Sequence, residues 1–240
     1  MSDLSERLIA IGDVHGCVHA LDALVDAIVP GPGDTLVLLG DVIDHGRESR
    51  EALDAVLQLQ GRCRVVYIQG NHEEMMLWAR NDEKALAYWE NHGGAATLSS
   101  YRFPGKLSDV TDEHWRLIES CVPYYETDDF IFTHANYQAD LPMAEQSGHD
   151  LRWALFEPRE VRRHVSGKPV IVGHTEQRDG EVLDLGFAMG IDTACWRYGW
   201  LTAVEPATGE TWQASKWGVL REPAEPSHRE RLTVLLSSGG

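Results

Sequence analysis

The sequence predicts an α/β fold, and three observations carry that prediction. Short apolar runs alternate with helical patterns over the first third of the chain. Those runs end in Gly-Asp or Gly-Asn. The last third holds closely spaced strand-like segments separated by turn residues.

The elements follow in order. Arg7–Ile11 is a short apolar run ending at Gly12-Asp13, and His19–Ile28 repeats apolar residues at helical spacing until Pro30-Gly31-Pro32-Gly33 stops it. Thr35–Leu39 is a second buried strand ending at Gly40-Asp41, Arg50–Leu59 a helix, and Arg64–Gln69 a third strand ending at Gly70-Asn71. Strand–helix–strand–helix–strand implies right-handed crossovers and a parallel sheet. Residues 73–122 read as a helical cap rich in aromatic residues and interrupted by Gly93-Gly94. Phe130–Thr133 resumes the strand pattern, and Asp150–Leu155 reads as a short helix. Val170–Val172, Glu181–Asp184, Phe187–Ile191, Trp200–Val204 and Thr211–Ala214 are expected to form an antiparallel second half, with Ala207-Thr208-Gly209 turning a hairpin. One domain over 1–222 is expected, followed by a poorly ordered tail, 223–240, that carries Pro, Glu and a terminal Ser-Ser-Gly-Gly.

Composition narrows the function. A formal net charge of −17 argues against duplex nucleic acid or an anionic membrane as an electrostatically held partner. Cys17, Cys63, Cys121 and Cys195 form no CxxC pair, so neither a structural zinc site nor a disulfide framework is expected. With no signal peptide and no long apolar run evident, a cytoplasmic location is expected.

The chemistry lies in the segments that follow the strands: Gly12-Asp13-Val14-His15-Gly16, Gly40-Asp41-Val42-Ile43-Asp44, Gly70-Asn71-His72-Glu73, Thr133-His134-Ala135 and Gly173-His174-Thr175. In an α/β sheet the C-terminal strand ends line the ligand crevice, so these side chains are predicted to meet on one rim. Carboxylate, amide oxygen and imidazole together suit hard or borderline divalent cations, and two such cations need a shared carboxylate. A single Gly-Asp or a single His means little, because turns and surface histidines are common. Five such segments in sequence, at near-equal intervals over the first three, are hard to dismiss.

These residues resemble the PPP-type, calcineurin-like metallophosphoesterases, nearest to phage lambda phosphatase and the bacterial Ser/Thr protein phosphatases. The likeness extends to Glu74-Met75-Met76, Trp89 with Asn91 and Gly93-Gly94, Asn136-Tyr137, Trp153, Ile191-Asp192-Thr193 and Leu201-Thr202, spanning about residues 7–205. It implies a β-sandwich of mixed sheets flanked by helices (α-β-β-α) with a small helical cap. It also implies two divalent metal ions, with manganese expected and iron, zinc or magnesium as alternatives. Asp13 and His15 would bind the first, Asp41 would bridge both, and Asn71, His134 and His174 would complete the second. A hydroxide shared by the metals would attack phosphorus, while His72, oriented by Asp44, would protonate the leaving oxygen.

The implied activity is hydrolysis of phosphate monoesters, including phosphorylated protein. The alternatives are a diadenosine tetraphosphatase-like nucleotide hydrolase, a phosphodiesterase, or a metal-binding regulatory module without catalysis. This chain departs from the family pattern at Asp44-His45-Gly46, where the family carries Asp-Arg-Gly, and at Leu155, where the phage enzyme's relatives often carry Arg. His45, Arg47 and Arg152 are the candidates to contact phosphate in their place. A planar, permanently charged guanidinium binds phosphate in a way that imidazole does not, so weak binding of monoesters, or a preference for a diester or an aryl phosphate, is expected.

Overall fold

The computed structural model describes residues 6–222, so the expected disorder of 223–240 lies outside the described residues. Strands β1 (Leu8–Ile11), β2 (Thr35–Leu38) and β3 (Arg64–Tyr67) alternate with helices α1 (Val18–Ile28) and α2 (Ser49–Gln60). β1 pairs parallel with β2, and β2 parallel with β3, as the βαβαβ pattern predicts.

From β3 to β4 the chain is helical: α3 (Asn71–Ala79), α4 (Glu83–Trp89), a π-helical turn (Glu90–Gly94), α5 (Ala95–Tyr101) and α6 (Asp112–Glu119). Gly93 has φ +116° inside the π-helical turn, which explains the interruption seen in the sequence. β4 (Tyr124–Glu126) and β5 (Ile131–Thr133) follow, then α7 (Gly148–Arg152), β6 (Val170–Val172), β7 (Leu183–Asp184), β8 (Ala188–Gly190), β9 (Trp200–Glu205) and β10 (Glu210–Ser215).

Two five-stranded mixed sheets result, ordered β10-β9-β1-β2-β3 and β4-β5-β6-β8-β7. The predicted antiparallel second half needs correction. β9 and β10 do form an antiparallel hairpin at Gly209, but it joins the first sheet beside β1. In the second sheet β5, β6 and β8 run parallel, and only the edge strands β4 and β7 are antiparallel. The long segment between β5 and β6 serves as the crossover that a parallel pair needs.

The strand alternation shows where the core lies. Ile9 and Ile11 of β1 and Leu36 and Leu38 of β2 face α1 and α2 in the largest apolar cluster. Their neighbours Ala10, Val37 and Leu39 face the other way and meet Phe132, Ile171 and Ile191, which fills the space between the sheets. Ile131, Val170 and Val172 turn outward from the second sheet onto Leu151, Phe156 and Met143. This is the predicted sandwich of two mixed sheets with helical outer layers. β1, β2, β3, β5 and β6 all end on the same side, and each is followed by one of the motif segments.

Candidate functional site

All eight predicted metal-binding and acid–base residues meet on that rim. The loop after β1 supplies Asp13 and His15, the loop after β2 Asp41 and Asp44, and the start of α3 Asn71 and His72. His134 follows β5 and His174 follows β6. Glycines make the approach feasible. A Cβ on Gly70 would collide with the Asp41 carboxylate, one on Gly173 with the Asp13 carboxylate, and one on Gly40 with the His134 ring.

Asp41 is central. One carboxylate oxygen lies 3.6 Å from His15 Nε2, 3.6 Å from His134 Nε2 and 3.8 Å from His72 Nε2. Two clusters with converging donor atoms share it: Asp13, His15 and Asp41, and Asp41, His134 and His174. Each imidazole is oriented by a backbone carbonyl. His15 Nδ1 donates to Ile43 O (2.9 Å), His134 Nδ1 to Leu39 O (2.8 Å) and His174 Nε2 to Trp153 O (3.2 Å). With that tautomer the other nitrogen of each ring is a bare lone pair aimed inward, the arrangement that metal-ligating histidines adopt. Asn71 Oδ1 sits 2.9 Å from His134 Nε2 and 3.1 Å from His174 Nδ1, and those two nitrogens are 3.2 Å apart.

Three acceptors pointing at one another repel unless something positive lies among them. Burial pushes the His15 and His134 pKa values well below the usual range and that of His174 to about 4, so their own protons do not supply that charge. Burial likewise raises Asp13 and Asp41 well above the normal carboxylate range, with Asp192 and Asp41 adding repulsion at Asp13. Crowded carboxylates and neutral imidazoles fit a pair of divalent cations far better than they fit one another.

His72 differs from the other histidines. Its Nδ1 donates to Asp44 Oδ2 at 2.7 Å, leaving Nε2 toward the rim. Burial opposes its charge, but Asp41 and the hydrogen-bonded Asp44 outweigh it and lift the pKa to about 9. Asp44 is fully buried and also accepts from Trp89 Nε1 (2.7 Å) and Thr97 Oγ1 (2.5 Å).

The structure adds residues whose roles the sequence left unread. Glu73 is fully buried and accepts from the amides of Asp41 (2.8 Å), Val42 (2.9 Å) and Gly70 (3.0 Å) and from Tyr67 Oη (2.7 Å). A Glu three residues after a helix-capping position was the available signal. Trp89 carried a signal only through the family likeness, which left its contact unread, and Thr97 and Trp196 carried none. The aromatic-rich helical cap includes Trp89, which is both core and a hydrogen-bond donor to Asp44.

The three substrate-contact candidates separate. His45 touches the rim, with ring centroids 4.9 Å from His15 and 5.0 Å from His72, and it stacks on Trp196 at 4.1 Å. Arg47 is exposed and lines a cleft together with His45. Arg152 is held by Glu74 through Nε (2.8 Å) and a terminal nitrogen (2.7 Å), and Trp153 Nε1 donates to the same carboxylate.

The sequence matches the model of the calcineurin-like phosphoesterases over residues 6–186. The chain belongs to that family. It is therefore a phosphoric ester hydrolase of a family that works with divalent metal ions. This phosphoesterase is 24% identical over 231 residues to the asymmetrical bis(5'-nucleosyl)-tetraphosphatase PrpE of Anoxybacillus flavithermus, covering 84% of this chain and 91% of that relative. Its fold matches a solved structure provisionally described as a diadenosine tetraphosphatase, at TM-score 0.66, 20% identity, and coverage of 89% and 95%. It also matches a Saccharomyces cerevisiae protein serine/threonine phosphatase, at TM-score 0.61, 16% identity, and coverage of 94% and 83%. Among the described residues no helix is long and apolar enough to cross a membrane.

Proposed function

We propose that this phosphoesterase hydrolyses dinucleoside polyphosphates with two divalent metal ions and His72 as general acid. The observation that carries the chemistry is the inward convergence of three oriented imidazoles and Asn71 on one shared carboxylate, Asp41. Asp13, His15 and Asp41 would hold one ion, and Asp41, Asn71, His134 and His174 the other. Divalent ions there would lower the pKa of water and draw negative charge from the phosphoryl oxygens.

His72 supplies the remaining function. With a raised pKa and Nδ1 tied to Asp44, it carries a proton on Nε2 at neutral pH and delivers it to the oxygen leaving phosphorus as water adds. α3 to α6 act as a cap that fixes Asp44 through Trp89 and Thr97.

The substrate class rests on relatives matched over nearly their whole length, which are named as bis(5'-nucleosyl)-tetraphosphatases. This favours the nucleotide alternative over the Ser/Thr phosphatase reading, which draws support only from the motif likeness and a shared fold at 16% identity. The loss of Arg at position 45 agrees, since a longer polyphosphate offers more contacts than a monoester. Manganese and a cytoplasmic location stay with this proposal as expectations.

The test is a metal-stripped preparation reloaded with Mn, Mg, Fe, Co or Zn. It is assayed on diadenosine tetraphosphate, p-nitrophenyl phosphate, its bis ester and a phosphothreonine peptide. We expect metal-dependent turnover with kcat/KM highest on the dinucleotide. Preference for the peptide would restore the Ser/Thr phosphatase reading, and no turnover with any metal would leave a non-catalytic module.

A further inference from the structure

A cleft of about 360 Å³ opens beside the rim, lined by His45, Arg47, Glu48, Trp196, Lys216 and Trp217 among others. We propose that it is a nucleoside-binding subsite, in which Trp217 stacks on a purine while Arg47 and Lys216 meet the phosphate chain leading to the metal centre. The inference rests on the dinucleoside polyphosphate reading for its substrate and on the cleft's own make-up for its location.

Four observations converge. The first is continuity: His45 lines this cleft and also lies 4.9 Å and 5.0 Å, ring to ring, from His15 and His72, so a ligand in the cleft borders the reacting atoms. The second is aromatic surface. Trp196 is already stacked by His45 and by the Arg197 guanidinium (4.2 Å), and so forms a wall. Trp217 is 76% exposed, a large apolar face beside a polar site. It sits on a tight turn closed by Gly218 N to Ser215 O (2.8 Å), with Gly218 at φ +78°, so it is presented on fixed backbone.

The third observation is charge. On a chain of net charge −17, the arginines bordering the rim are mostly neutralised: Arg152 pairs with Glu74 and Arg197 with Glu176. Arg47 and Lys216 form no salt bridge among the described residues. The Lys216 amine binds the backbone oxygen of Arg197 (2.9 Å), which holds it in place without cancelling its charge. The fourth is size, since small-molecule sites fall in the range of about 300–1,000 Å³. An aromatic face with cations toward a phosphate-handling centre matches a nucleotide: the base has a π-face and the chain is polyanionic. A bare phosphate ester needs no such face.

The test compares the full chain with Trp217→Ala, an exposed position where truncation removes the contact with the Lys216 ammonium (5.4 Å from the ring centroid) and no buried side chain, and circular dichroism checks the fold. With manganese bound, kcat/KM is measured on diadenosine tetraphosphate and on inorganic tetrapolyphosphate, which lacks a base. We expect the ratio of the first to the second to fall about tenfold or more in Trp217→Ala, through KM. In chelator-treated protein, ADP should quench tryptophan fluorescence in the parent, and the quenching should be lost in the variant. If the dinucleotide is not hydrolysed while Trp217-dependent quenching persists, the substrate reading fails and the subsite stands. If the dinucleotide is hydrolysed but ratio and quenching match in parent and variant, the subsite is overturned. A Trp217→Ala effect confined to a phosphothreonine peptide would overturn it too, assigning the cleft to peptide.

Discussion

The metal rim and the cleft beside it share His45 yet are built on opposite principles. On the rim the side chains are short, buried and tied at more than one end. His15, Asp41, Asp44, His45 and His174 all have positive φ, which makes five of the seven such non-glycine residues among those described. Each strained residue costs on the order of 1 kcal/mol or more and persists only where its surroundings over-determine it. Here they do: the amide of Asp41 binds Glu73, that of Asp44 binds Ser49 and Thr97, that of His174 binds Asp13, and that of His15 binds the Asp41 carbonyl. In the cleft, Arg47 and Trp217 are long, exposed side chains, and Trp217 is met by the Lys216 ammonium 5.4 Å from its ring centroid rather than by a hydrogen bond. On the proposed roles, the difference teaches that the bond-breaking apparatus is set before substrate arrives, while recognition falls to groups that can adapt to it.

If the rim is pre-organised around cations, its shared carboxylate should be the most sensitive point. Asp41→Asn should empty both positions together and lower turnover by about 10³-fold or more, since removing a bridging charge acts on binding and chemistry alike. Metal content by elemental analysis checks it. Loss of one ion only would mean that Asp41 does not bridge.

His72 tests the chemistry apart from the metals. His72→Asn should keep metal content and lower turnover of alkyl phosphates about 10²–10⁴-fold. The loss should shrink for p-nitrophenyl phosphate and for phosphoanhydrides, whose leaving groups need less help from a proton. An equal loss across leaving groups would remove His72 from the acid role.

Glu73 tests the scaffold. Its two oxygens serve four donors, so a Gln amide must turn its NH2 toward N–H or O–H groups on one side. Glu73→Gln should destabilise the fold by about 2–4 kcal/mol in urea titrations. A change under about 0.5 kcal/mol would mean that the loops hold themselves.

How much of this was legible in sequence follows from the same contrast. The ligand-bearing loops each announce themselves locally, because a side chain that must turn off a strand end needs a glycine beside it, as at Gly40-Asp41 and Gly70-Asn71. Local patterns also revealed β1 to β3 and their helices, whose periodicities are long enough to read. They failed where the decisive contact is distant. The two-residue β7 and three-residue β8 are too short to betray direction, so their close spacing resembled a meander. Trp89 and Thr97 reach Asp44 from about fifty positions away. Trp196 and Trp217 form one cleft only because the β9–β10 hairpin folds back beside β1. No local pattern encodes those meetings.

Were His72 the acid, its hydrogen bond to Asp44 would help set its pH range, after the larger effect of Asp41. His72 is fully protonated well below its pKa of about 9 and loses the proton as pH rises through it, so turnover of poor leaving groups should fall on the alkaline side. Cations held by Asp41 would diminish the lift from that carboxylate, whereas the hydrogen bond from His72 Nδ1 to Asp44 would remain. Asp44→Asn should therefore move the alkaline limb to lower pH and cut the rate at neutral pH about tenfold. An unmoved limb in the pH–rate profile would separate Asp44 from His72.

The smallest effect belongs to the residue common to both regions. His45 stands where family relatives place arginine, its pKa is held down to about 4, chiefly by burial and then by His72, and it is neutral at physiological pH. It therefore brings no charge to a phosphate. His45→Arg would restore a fixed guanidinium at the boundary between rim and cleft. For p-nitrophenyl phosphate, KM should fall about 3–10-fold with little change in kcat, as expected of a charge-assisted contact made equally in ground and transition states. For a dinucleotide the gain should be smaller, because the same substitution removes the ring that stacks on Trp196 and shapes the mouth of the cleft. Equal gains on both substrates would show that the His45 ring and its stack on Trp196 contribute nothing to binding the dinucleotide. A rise in KM for both would show that the His45–Trp196 stack matters more to the site than a missing positive charge.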